Sequence, residues 1–203
     1  MSKLDWKKEL GFLYEASAKK ASLVDVPELG FLMIDGHGNP NTEPRFRDAV
    51  EALYGLSYTL KFEIKLADPE QDYKVMPLEA VWWMADGSAF NMDDRKRWCW
   101  TLMIGQPEAV TPARIKRARE DLKKRRSSPL LDEVRYERWR EGFAAQVLHV
   151  GPYDAEGPTL DLLRAFIEEQ GKTRRGKHHE IYLSDPRRCA PEKLKTILRN
   201  PVE

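Results

Sequence analysis

The sequence predicts an α+β fold made of two β-α-β-β modules in tandem. They are related by pseudo-twofold symmetry and share one antiparallel sheet, with helices on one face and a ligand groove on the other. Three observations carry this. Strand and helix patterns come in the same order twice along the 203 residues. Sliding the chain by 113 residues lays HGNPNTEPRFRDAVEAL on VGPYDAEGPTLDLLRAF, with Gly38 on Gly151, Glu43 on Glu156, Asp48 on Asp161 and Ala52 on Ala165. Finally, KHHEIYLSDPRR (177–188) reads as a strand whose faces differ in chemistry, His179, Ile181 and Leu183 on one and His178, Glu180, Tyr182 and Ser184 on the other.

The elements follow in order. Residues 1–21 are a charged lead-in with Trp6, Leu10, Phe12 and Leu13 as anchors. The first module spans 22–108. ELGFLMIDGHGNP is a strand closed by a Gly- and Pro-containing turn. From Glu43 to about Ile64, apolar residues recur at spacings of three and four (Phe46, Val50, Leu53, Leu56, Leu60), and Pro44 suits a first helical turn. KVMPLEAVWWMA and RWCWTLMIG are strands joined by the polar turn DGSAFNMDDRK. A linker helix covers 109–127, capped at Thr111-Pro112, with a narrow stripe of Ile115, Ala118 and Leu122. The second module spans 128–190, with strands VRYERWREG and FAAQVLHVGPY, helix GPTLDLLRAFIEEQG and strand HHEIYLSD. Residues 191–203 read as a C-terminal tail.

Composition narrows the function. Thirty-four basic and 33 acidic residues nearly cancel, so no overall field recruits nucleic acid or a membrane. The basic run at 114–126 lacks interleaved aromatics and is broken by Glu120 and Asp121, which suits a solvated helix. No signal peptide or membrane-length apolar run is visible, and Cys99 and Cys189 form no CxxC pair, so a cytoplasmic protein without disulfides is expected. Neighbouring His178 and His179 point to opposite faces, so no metal is expected, and no Walker loop, GxSxG or GxGxxG asks for another cofactor. Four of the six tryptophans (Trp82, Trp83, Trp98, Trp100) fall in one short window, as heavy core or as the wall of a pocket.

HHEIYLSDP, the GPYDAEGPT turn into a helix, the tandem organisation, and PLEAVWW followed by WTLMIGQPEAVT resemble the GyrI-like small-molecule-binding superfamily over roughly residues 22–190. An acid followed two residues later by tyrosine and then by a turn is the most specific piece of that resemblance. It implies a groove between the modules with Glu180 at its centre. In the family's regulators, aromatic rings around the acid bind lipophilic cations. In some stand-alone relatives, to which the tryptophan-rich middle is closest, the groove hydrolyses the strained cyclopropane of DNA-alkylating antibiotics. About 20 residues precede the first strand, too few for a helix-turn-helix, so direct DNA binding is not expected.

Glu180 is therefore the leading site residue. Burial of an isolated carboxylate is costly, so a buried acid keeps a neighbour, a ligand or a proton. The competing reading is an ion pair with Arg187 or Arg188. Tyr182 shares its face, and Tyr136 and Trp139 are expected on neighbouring strands. Rings facing a cation contribute roughly 0.5–2 kcal/mol each. Trp82 and Trp83 point to opposite faces and only one can line the groove, whereas Trp98 and Trp100 share a face. The first function is a binding module for planar, amphipathic or cationic drug-like molecules, with detoxification as its expected use. The alternative is a hydrolase in which Glu180 activates water, with Tyr182 or Tyr136 orienting it. A protein-interaction role such as modulation of DNA gyrase comes third and rests on analogy alone. On the same reading the groove is either open or covered by loops and the N-terminal lead-in.

Overall fold

The computed structural model describes residues 3–88, 90–125 and 128–203. Six strands, β1 (Ser22–His37), β2 (Leu78–Met84), β3 (Trp98–Gln106), β4 (Arg135–Val150), β5 (His178–Tyr182) and β6 (Lys195–Pro201), pair antiparallel throughout. Their order β1-β3-β2-β5-β6-β4 returns to β1 and closes a barrel. Five α-helices are described: α1 (Trp6–Glu9), α2 (Gly11–Tyr14), α3 (Pro44–Ala67), α4 (Pro112–Arg125) and α5 (Gly157–Glu169).

Closure gives every strand an inner and an outer face, and the apolar run of β1 serves both. Leu32 and Ile34 join the core under α3, whereas Phe31 and Met33 form a separate inner cluster with Val81 and Met103. Helix α3 buries Ala49, Ala52, Leu53, Leu56, Leu60 and Ile64, the stripe that its three- and four-residue spacing requires. Helix α5 buries Leu163 and Ile167 against Ala145, Val147 and Leu198, each such side chain contributing roughly 1.5–3 kcal/mol. The narrow stripe of α4 (Ile115, Ala118, Leu122) is buried, and residues 126 and 127 of the expected linker helix lie outside the described residues. Trp100 is fully buried against the backbone of Gly36, where a Cβ would stand 2.1 Å from its ring.

The structure corrects the sequence reading in several places. The antiparallel sheet expected to leave a groove opposite its helices closes on itself, and that opposite face is the barrel interior. One end of that interior is filled by the N-terminal segment. Trp6 lies over Gly105, Tyr14 donates to Glu79 (3.2 Å), and the carbonyls of Phe12 and Leu13 accept from Gln146 (2.8 Å) and Arg199 (2.7 Å). The expected strands VRYERWREG and FAAQVLHVGPY are one strand, β4, which passes through Gly142 at φ +75°. Residues expected as a tail supply β6, which joins β5 to β4. Glu180, expected at the centre of the groove, is also on the other face of β5. Ile181 pairs with Glu79 on the inner face, and Glu180 and Tyr182 lie on the outer face, which α3 and α5 cover.

Candidate functional site

On the outer face of β5, alternation places His178, Glu180 and Tyr182 in one row. β2 sets Trp82 opposite His178 and Ala80 opposite Glu180, and β6 sets Leu198 opposite Glu180. The small Ala80 beside a long carboxylate keeps the space above Glu180 for other elements. The phenol of Tyr182 donates to Glu180 Oε2 at 2.7 Å. His178 Nδ1 lies 3.1 Å from the side-chain oxygen of Asn200 and so carries a proton toward it. Its Nε2 faces Glu180 Oε1 at 3.3 Å without hydrogen-bond geometry.

A second carboxylate comes from the turn into α5. Glu156, at the N-cap of that helix, is 1% exposed, and its Oε1 has no hydrogen-bond partner among the described residues. Burial first and the charge of Glu180 second push its carboxyl up to about 10, with Arg95 opposing. Glu156 therefore keeps its proton through neutral pH. Tyr153, from the same turn, meets Tyr182 edge-on (5.7 Å) and is 36% exposed, so it forms the solvent side of the group. Burial and then Glu180 push its phenol up to about 12.

Aromatic rings complete the site. Phe90 stacks on His178 (5.6 Å) and tilts against Trp98 (5.0 Å), which meets Trp82 edge-on (5.3 Å); Phe46 of α3 stacks on the far side of Trp82 (6.0 Å). The loop between β2 and β3 is tied down where Trp98 Nε1 donates to the Asn91 carbonyl (2.7 Å), and its Arg95 lies over the Trp98 ring (5.5 Å).

The structure therefore gathers Glu180, Tyr182, Trp82 and Trp98, with Trp100 behind them against Phe46 (5.2 Å). Three of the expected residues stand elsewhere. Tyr136 pairs with Leu32 and packs over Gly30. Trp139 points inward, edge-on to His179 (5.7 Å), and Trp83 is on the inner face beneath Lys177. Neither Arg187 nor Arg188 reaches Glu180, since both turn to Asp185. Glu156, Tyr153, Phe90 and Arg95 were not singled out from the sequence; only Glu156 carried a signal there, its alignment with Glu43. Among the described residues no group of three or more His, Cys, Asp or Glu could hold a metal.

A mixed α/β barrel with a paired acid among aromatic rings has the make-up of a domain that binds small organic molecules. The chain belongs to the GyrI-like family, whose model, a GyrI-like small molecule binding domain, matches residues 19–203. No curated protein matches it. Among solved structures it is similar to an uncharacterized conserved protein from Listeria innocua (39% identity, TM-score 0.92, 99% of this chain and 100% of that one). It is likewise similar to a hydrolase from Listeria innocua (38% identity, TM-score 0.88, all of both chains). The C-terminal domain of EcmrR shares the fold alone, at 14% identity and TM-score 0.52 over 91% of this chain and 97% of that one. No described helix is long and apolar enough to cross a membrane.

Proposed function

We propose that this protein binds planar, amphipathic or cationic small molecules against Glu180 and Glu156, within the rings of Trp82, Trp98, Phe90, Tyr153 and Tyr182, and so sequesters them. The observation that carries this reading is the buried Glu156 carboxyl, whose Oε1 has no hydrogen-bond partner among the described residues and whose proton burial retains. An arriving cation or hydrogen-bond donor satisfies that oxygen, and flat apolar surface stacks on the rings. We also read β1-α3-β2-β3 (within 22–108) and β4-α5-β5-β6 (from 128) as two copies of one unit; Glu43 and Glu156, at the N-caps of α3 and α5, support the match.

A second reading is favoured by the same proton and by the hydrolase from Listeria innocua at 38% identity. Here a water bound to Glu180 attacks the methylene of a strained cyclopropane conjugated to a carbonyl. The water's proton passes to Glu180 as its oxygen bonds to carbon. The ring carbon–carbon bond breaks, and its electron pair moves to the carbonyl oxygen, which takes the proton of Glu156. The net change is addition of one water.

The deciding experiment follows a cyclopropane-bearing, DNA-alkylating antibiotic by mass spectrometry with wild type and Glu180→Gln. Multiple-turnover gain of one water by wild type, lost in the variant, makes the protein a hydrolase. Quenched tryptophan fluorescence without turnover leaves a binding protein. Neither quenching nor turnover, with a lipophilic cation tested alongside, sinks both readings.

A further inference from the structure

The barrel has a second opening, on the inner side of the sheet, over a cavity of about 250 Å³. Its apolar wall is Met33, Val81, Met103 and Trp139, and the Trp139 ring is braced edge-on by Phe31 (6.0 Å). The polar rim carries both signs of charge, but the two signs are not equally engaged. Glu137 is held by Arg135, and Glu141 by His179 (3.0 Å) and Arg199 (3.2 Å). Arg135 also spends a bidentate pair on Asp35 (2.9 and 3.1 Å).

Two of the remaining cations, Arg175 and Lys177, lack such partners among the described residues. Arg175 donates to the carbonyls of Val202 (3.1 Å) and Glu141 (2.7 Å), neutral acceptors that orient the guanidinium and leave its charge uncompensated. Lys177 Nζ stands 3.2 Å from the centroid of the Trp83 ring, with no carboxylate within ion-pair distance among the described residues. Arg140, by contrast, is paired with Asp25 (3.7 Å). Burial holds the Lys177 ammonium below its ordinary pKa, Asp35 opposing and Arg135 adding to it, as expected of a cation short of an anion.

We propose that this opening is a second ligand site, for a small aromatic or alkyl monoanion. The apolar body lies on Trp139, Met33 and Met103, and the carboxylate or sulfonate lies between Arg175 and Lys177. The charge it selects is opposite to the one Glu180 and Glu156 select. It also shares no residue with them, because β5 turns His179, not Glu180, to this side.

The test uses 2-naphthoate, with 2-naphthalenemethanol and 2-naphthylmethylammonium as neutral and cationic controls of the same shape, in calorimetric titrations of the full chain. Naphthoate is expected to bind with a Kd of about 100 µM or better, set by its few heavy atoms, and more tightly than either control. Lys177→Gln should weaken it about fivefold or more, Lys177→Arg should retain it, and Glu180→Gln should leave it unchanged. The indole NH signals of Trp83 and Trp139 should shift on titration, a readout that survives if a variant folds poorly. The site is refuted if naphthoate binds no better than the neutral alcohol, or if its affinity follows Glu180→Gln rather than Lys177→Gln. Absence of heat and of indole shifts at millimolar ligand refutes it equally.

Discussion

Tyr182 and Glu180, two residues apart on one face of β5, are joined by a 2.7 Å hydrogen bond in which the phenol donates to Oε2. Burial first, and Glu180 second, push the phenol pKa well above its ordinary value, so Tyr182 remains a donor at any practical assay pH. Tyr182→Phe should cost about 1 kcal/mol of stability in urea denaturation, one net hydrogen bond. It should also weaken ligand quenching or lower turnover without changing the shape of the pH profile. A pH dependence present in the wild type and lost in the variant would show that the phenol itself titrates, contrary to its burial.

Glu156 should make the protein less stable as pH rises. Its folded carboxyl is raised to about 10 from 4.5. Between those values the native state binds the proton and the unfolded state does not, so stability falls with increasing pH through that window. Glu156→Gln keeps the shape and removes the ionisable proton. The expected result is a gain of about 1–3 kcal/mol at pH 8, the order of the cost of burying an underpaired polar group, with weaker ligand binding or lost turnover. Chemical denaturation at several pH values decides it, and an unchanged slope in the variant would remove Glu156 as the source.

His179 is charged inside the barrel. Nδ1 meets both oxygens of Glu141 and Nε2 meets Glu79 Oε2, all at 3.0 Å, so both nitrogens donate and the ring is an imidazolium. Burial opposes that charge, but Glu141 and then Glu79 outweigh it and raise the pKa from 6.5 to about 9. The raised value contributes stability that is complete below the unfolded pKa near 6.5 and is lost as pH climbs through about 9. His179→Gln takes the shared cation from two buried carboxylates, leaving Glu79 only Tyr14 and Glu141 only Arg199 among the described residues, and should cost about 3–5 kcal/mol. Ring ¹⁵N shifts should show both nitrogens protonated at pH 7.5; a neutral tautomer there would overturn the assignment.

Much of the fold was legible because it rests on local periodicity. The α3 and α5 stripes, the Pro44 start and the narrow face of α4 follow from spacing within each segment. What was illegible depended on partners. LKTILRNP is too mixed in polarity to announce a strand, and it becomes one because β4 and β5 flank it. RYERWREGFAAQVLHV reads as two strands because glycine interrupts it, yet Gly142 at φ +75° passes through without ending the pairing. Trp139 and Tyr136 looked equivalent as aromatics near the acid. Their odd and even positions send one inward to His179 and the other outward over Gly30.

By itself the sequence determined that His178, Glu180 and Tyr182 share a face, that Trp82 and Trp83 do not, and where the long helices run. Each of these depends on geometry within a few bonds of the residue, the two-residue period of a strand and the 3.6-residue period of a helix. Only the tertiary structure decided that the sheet closes, that the face of Glu180 lies under α3 and α5, and that its partner acid is Glu156. Those outcomes turn on burial and charge between segments far apart in the chain. A carboxylate's neighbours, its desolvation and the resting place of its proton are set by that packing.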